Sequence, residues 1–184
     1  PSKDQFHGII EKLLYAAALA DYDKSVELGS FSAWTYKRRA LAHFYLKNYD
    51  KALADIAKAV ELKADDTSNL SCIPPELVAR CPDERLRTGL LELADKTIEL
   101  TKGTMGAYLA RAKLYAAFGQ PEKATADFDQ AEKEQQAEIA ALKKQMEQSS
   151  GNPEQRKQFA AQYFAIADVW FHIDQFERAF PHLD

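Results

Sequence analysis

The sequence predicts an all-α protein made of short amphipathic helices that recur in pairs. Within residues 33–66, AWTYKRRALAHFYLKNYDKALADIAKAVELKADD, apolar and small residues fall at i, i+3 and i+4 twice in succession. The first stripe runs through Tyr36, Ala40, His43 and Phe44, the second through Ala52, Leu53, Ile56, Ala59, Val60 and Leu62. The stretch from Ala18 to Leu28, ALADYDKSVEL, returns thirty-four residues later as ALADIAKAVEL, with Ala18, Leu19, Ala20, Asp21, Lys24, Val26, Glu27 and Leu28 unchanged. A helix pair of this length cannot bury its own apolar face, and recurrence supplies the neighbour that covers it.

The first unit spans about residues 1–32, with Phe6, Ile9, Ile10 and Leu13 as the apolar face of its first helix. Leu13 and Leu14 stand where a glycine or a polar pair would make the turn, so one continuous helix competes with a hairpin here. The second unit is 33–66, closed by the loop-like DDTSN from Asp65 to Asn69. In the third, 67–104, LLELADKTIEL (Leu90 to Leu100) matches ALADIAKAVEL at an offset of thirty-eight. Four residues are therefore inserted upstream, and CPDERLRTG, Cys81 to Gly89, is the expected place. Pro74-Pro75 delays the first helix of this unit, leaving it short, roughly Glu76 to Arg80.

The fourth unit, 105–138, is regular, with Tyr108, Ala112, Tyr115, Gly119, Ala124, Phe128 and Ala131 in register. Its second helix meets no breaker before Gln148, which makes it roughly 40 Å long from Glu122. SSGNP, Ser149 to Pro153, is a stop, turn and restart. Phe159, Tyr163, Ile166, Trp170 and Ile173 then line a last helix, and a partial fifth unit covers 160–184. The expected close is a long C-terminal helical hairpin, 122–148 against 154–173.

These residues resemble the tetratricopeptide repeat, a helix–turn–helix unit of thirty-four residues. The family's preferred aromatic places hold Tyr36, His43 and Tyr49, and its small places hold Ala40, Ala52 and Ala59; Ala64 replaces the usual closing proline. The third unit resembles a bacterial variant with a Cys-Pro-Asp loop between its helices. The resemblance implies one domain over 1–184, folded as a right-handed superhelical array (a tetratricopeptide repeat solenoid). It implies a protein–protein interaction scaffold, not an enzyme, with a concave groove lined by first helices. In that register the second unit offers Trp34, Lys37, Arg38, Leu41, Phe44 and Tyr45 to the groove. The fourth offers Leu109 and Lys113, and the fifth Phe164, Asp168, Phe171 and His172. Basic and aromatic groups together suit an extended protein or peptide segment with acidic or aromatic side chains. The competing reading makes Lys37-Arg38-Arg39 a solvated face plus one packed arginine. Of the carboxylate clamp carried by chaperone-binding members only Arg38 is matched, with Trp34 and Ala110 where the clamp needs charge.

One constellation recurs without belonging to the groove. Arg39 and Asp55 are sixteen residues apart, and so are Arg111 and Asp127. An arginine facing a helix pair is costly unless paired, so each couple is expected to form an internal ion pair. The first unit keeps Asp21 but has Gln5 at the arginine's place.

Composition limits the remaining classes. The 184 residues are 46% hydrophobic and 28% charged, as in globular domains. The net charge of −4 argues against a broad grip on nucleic acid. No apolar run is long enough for a membrane span, and Glu11 and Lys12 interrupt the one stretch that resembles a leader, IIEKLLYAAALA. Cys72 and Cys81 have neither zinc nor redox spacing, and free thiols lean towards the cytoplasm. Cys81 is read as a small buried residue and His43 as packing. No phosphate loop, nucleophile elbow or metal-spaced histidine set exists, so no cofactor is expected. Asn69-Leu70-Ser71 is a glycosylation triplet of the kind that occurs by chance. The chain opens at Pro1 and reads as a piece of a longer one. The alternatives to a binding scaffold are self-assembly as a homo-oligomer through uncapped ends and a non-catalytic arm of a multidomain protein.

Overall fold

A computed structural model describes residues 3–148, 154 and 157–162, with side chains from residue 8 onward. Among the described residues every regular element is helical. The order is α1 (Lys3–Glu27), α2 (Ala33–Tyr45), α3 (Tyr49–Leu62), a 3-10 turn (Thr67–Asn69), α4 (Pro75–Ala79), α5 (Glu84–Thr101), α6 (Met105–Ala117) and α7 (Pro121–Gln148). α2 packs chiefly on α3 and α6 on α7, with α1 against α2 and α5 against α6. The helices expected at 154–173 and the fifth unit lie largely outside the described residues, and Phe164 and Phe171 lie wholly outside them.

The two regular pairs superimpose in sequence at an offset of seventy-two. α2 and α6 span equivalent residues, and α3 and α7 begin at equivalent ones. Ala40, Ala52 and Ala59 are fully buried in one pair, as are Ala112, Ala124 and Ala131 in the other. Small side chains at these places let the paired helices approach closely. Both pairs turn through a left-handed residue, Lys47 (φ 63°) and Gly119 (φ 70°). Ser32 starts α2 by accepting a hydrogen bond from the Thr35 N–H at 3.1 Å. Asn69 finishes α3 from a distance: its amide donates to the carbonyls of Ala59 (3.1 Å) and Lys63 (2.7 Å).

The third unit departs most from its neighbours. Pro75 occupies the first turn of α4, which lasts only five residues. In place of a full first helix, Leu70, Ile73, Val78 and Cys81 are buried in the core with Ile56, Leu90 and Leu114. The insertion falls within Cys81 to Gly89, the place the sequence suggested, with Cys81-Pro82-Asp83 joining α4 to α5 and the rest of the stretch helical. Asp83 caps a helix that begins at Glu84, accepting from the N–H groups of Arg85 (2.9 Å) and Leu86 (3.4 Å). At the offset of thirty-eight Arg87 is the counterpart of Tyr49, so α5 gains Glu84, Arg85 and Leu86 ahead of the matched stretch and Thr101 after it. Gly89 is inside that helix and serves contact rather than turning: a Cβ there would collide with Leu53 Cδ2.

Candidate functional site

The outward face of α2 carries Trp34, Lys37, Arg38 and Leu41, one and two turns apart, while Ala33, Tyr36, Ala40 and His43 turn inward. The loop after α3 brings Ser68, Ser71 and Cys72 beside them, and the seven residues line a depression of about 220 Å³. Trp34 is 56% exposed. Its ring meets Tyr22 of α1 edge-on at 6.2 Å, and the Arg38 guanidinium lies over it at 5.5 Å. Arg38 is exposed and pairs with no carboxylate among the described residues.

Lys37 differs from the expectation of a free groove cation. Its Nζ donates to Asp66 Oδ2 at 3.1 Å and to Ser68 Oγ at 2.7 Å, and its side chain is only 16% exposed. Burial would raise the Asp66 pKa, but hydrogen bonds from Ser68 and Lys37 outweigh it and hold the carboxyl below its ordinary value. Lys37 thus fastens the loop to α2 and leaves Arg38 as the cation presented to solvent.

The other expected groove residues are not gathered there. Phe44 packs on the core and meets Tyr49 at 5.7 Å. Tyr45 stacks on Tyr15 of α1, centroids 4.0 Å apart and rings 8° from parallel. Leu109 is buried with Ala131, against Met105, Tyr108 and Phe128, so it serves the α6–α7 contact and not a groove surface. Lys113 is half-buried; desolvation lowers its pKa, with Glu76 acting in the opposite sense.

Both expected ion pairs form, and each is larger than its sequence motif. Arg39 donates from Nε and Nη2 to Asp55 at 2.8 and 2.7 Å, and from Nη1 to Asp23 of α1 at 3.1 Å. Arg111 donates from Nε and Nη2 to Asp127 at 2.7 and 2.7 Å, and from Nη1 to Asp95 of α5 at 2.6 Å. Each arginine thereby ties its own helix pair to the preceding helix. Sequence reasoning missed Asp23 and Asp95, although both lie sixteen residues before their arginine, mirroring the sixteen that follow.

Neither cysteine is placed to act as a thiolate nucleophile. Burial pushes the Cys72 thiol up to about 12, and Cys81 is buried beside Tyr49. Asn69 is 1% exposed with its amide committed to α3, which closes the glycosylation triplet to modification. A second depression, about 540 Å³, opens between α3 and α5 over Leu53, Ala57 and Leu93, rimmed by Asp50, Glu92 and Lys96. Lys96 there already has Glu61 at 3.7 Å. No family model matches the chain, and no curated protein or solved structure matches it either.

Proposed function

We propose that the chain is a tetratricopeptide-type helical repeat that binds a segment of another protein on the outer face of α2, without catalysis. The matched pairs α2–α3 and α6–α7, with their equivalent turns and arginine clusters, support the repeat reading. The observation that carries the function is Arg38, a cation with no carboxylate partner among the described residues, lying over the exposed Trp34 at the mouth of the depression. At about 220 Å³ the depression is smaller than a typical small-molecule site and has room for one side chain. An acidic or carboxylate-bearing segment with an apolar neighbour answers both features: the carboxylate meets Arg38, and the apolar group lies against Trp34 and Leu41.

A panel of fluorescent peptides, each with one aspartate or glutamate beside a leucine or phenylalanine, tests this by anisotropy against lysine-substituted controls. Binding is expected for the acidic series, weakened by salt. Arg38→Glu or Trp34→Ala should weaken it by about tenfold or more while leaving helicity intact. Reversal of the exposed Lys143 and Lys144 on α7 should do much less. If the α7 reversal abolishes binding and Arg38→Glu does not, the working surface is α7.

A further inference from the structure

α1 is one unbroken helix of 25 residues, about 37 Å long, against about 20 Å for the 13 residues of α2. The two run antiparallel, with Tyr22 beside Trp34 and Tyr15 on Tyr45, the last residue of α2. Everything before Tyr15 therefore overhangs the end of its partner. On that overhang Ile9, Ile10, Leu13 and Leu14 are 52%, 39%, 66% and 64% exposed. The same stripe continues one and two turns on through Ala16, Ala17 and Ala20, all exposed, to Asp21. Asp21 is the counterpart of the buried Asp55, yet it is exposed and pairs with no described residue.

The repeat register explains why both surfaces are bare. Ile9 and Ile10 correspond to His43 and Phe44, which fold back on α3 in the second unit. Residues 15–28 correspond to α3 itself. The two halves of a helix-pair interface are present, but the turn between them is not. At the turn position the second unit has Lys47 at φ 63° and the fourth Gly119 at φ 70°, where the first has Leu13. A leucine is disfavoured in the left-handed region, so the helix runs straight through.

We propose that a second copy of this chain covers the overhang by exchange: residues 3–13 of each copy lie across residues 13–23 of the other. The register of the second unit, in which Arg39 meets Asp55, places Ile9 and Ile10 over the partner's Ala16 and Ala17 in such a pair. Leu13 of each copy then falls at the two-fold axis. The contact is isologous and uses one surface twice, so each copy supplies the first helix that the other lacks. Small residues opposite large aliphatic ones give the close approach that the buried alanines give within the chain.

Sedimentation velocity across the micromolar range, with circular dichroism, tests the exchange. A concentration-dependent dimer is expected. Leu13→Gly with Leu14→Asn, which restores the turn, should give a monomer of nearly unchanged helicity because each first helix folds back on its own chain. Ile9→Glu with Ile10→Glu, on the exposed face and without touching α2, should weaken dimerisation by about tenfold or more even if the turn variant folds poorly. A monomer at every concentration overturns the proposal. So does a turn variant that is folded and dimerises as tightly as the unaltered chain, or a dimer indifferent to the glutamates.

Discussion

The Arg39 and Arg111 clusters, in regions seventy-two residues apart, agree to within a few tenths of an ångström in their bidentate bonds and differ in what fills the space beside them. Arg39 and Arg111 are 18% and 21% exposed, and their buried aspartates 6% and 8%. Where the fourth unit has Tyr115, the second has His43. Tyr115 carries the Arg111 guanidinium over its ring at 5.7 Å and Lys123 Nζ at 5.4 Å, and burial raises its pKa, so it remains neutral. His43 is 5% exposed, its Nδ1 has no partner, and its Nε2 lies 3.9 Å from Asp55, beyond hydrogen-bond reach. The ion cluster is thus fixed by helix register, while the adjoining ring slot asks only for a flat group of the right volume. Filling it with imidazole gives one region a group that titrates on the acid side, where the tyrosine of the other stays neutral.

The largest expected effect tests the shared part. Arg39→Leu strands the Asp55 carboxylate and should cost about 3 kcal/mol, the low end for a buried pair because the arginine is partly exposed. Asp55→Leu strands the guanidinium, though Asp23 remains to it, and should cost less. The double variant should recover much of the loss in a urea-denaturation cycle, and the same cycle on Arg111 and Asp127 should give a coupling energy within about 0.5 kcal/mol of the first. Effects that simply add at one site and not at the other would break the equivalence of the two regions.

That equivalence was largely legible before any coordinates. Periodicity and the offset of thirty-four place α2, α3, α6 and the start of α7, while Leu13-Leu14 left a hairpin and a continuous α1 both open. The Arg–Asp pairs follow because a sequence can show when a charge lies on an inward face. What stayed hidden depends on irregular chain. The loop holding Asp66 and Ser68 has no period from which its path could be read, so the capture of Lys37 could not be foreseen. For the same reason Leu70 and Ile73, which stand in for a missing helix, do not announce themselves as core. Leu109 was misplaced for another reason: the expected register set it facing a groove, and the α6–α7 contact buries it. Trp34 and Arg38 were found together because they lie one turn apart on a face whose other flank is buried.

A smaller effect sharpens the difference between the regions. Burial lowers the His43 pKa, and the surrounding charges act in both senses, with Asp55 and Asp23 raising it and Arg39 and Lys51 lowering it. An unfolded histidine takes up its proton near 6.5, and the folded one resists it to lower pH. The neutral ring's stabilising contribution is therefore complete above about pH 6.5 and is lost as pH falls from there towards the folded pKa. His43→Tyr, which copies Tyr115, should flatten the stability profile between about pH 7 and pH 5 relative to the unaltered chain. The other histidines and the carboxylates are common to both proteins, so the difference between the two profiles isolates position 43. Identical slopes would mean that the buried imidazole takes no part in the acid response.

The smallest effect separates a pair from a network. Asp23 and Asp95 each add a third contact, and both are about half exposed, 52% and 54%. An exposed ion pair gains little over hydrated charges and is screened by salt. Removing the aspartate also leaves its arginine held at two points by Asp55 or Asp127. Asp23→Ala and Asp95→Ala should therefore cost about 0.2 to 1 kcal/mol each, with the cost shrinking in high salt. The 2.6 Å bond of Asp95, against 3.1 Å for Asp23, places the larger of the two losses in the fourth unit. Should Asp95→Ala instead destabilise the protein as much as Asp127→Ala, the third carboxylate belongs to a cooperative triad. The joint between successive helix pairs would then be held by charge as firmly as each pair is within itself.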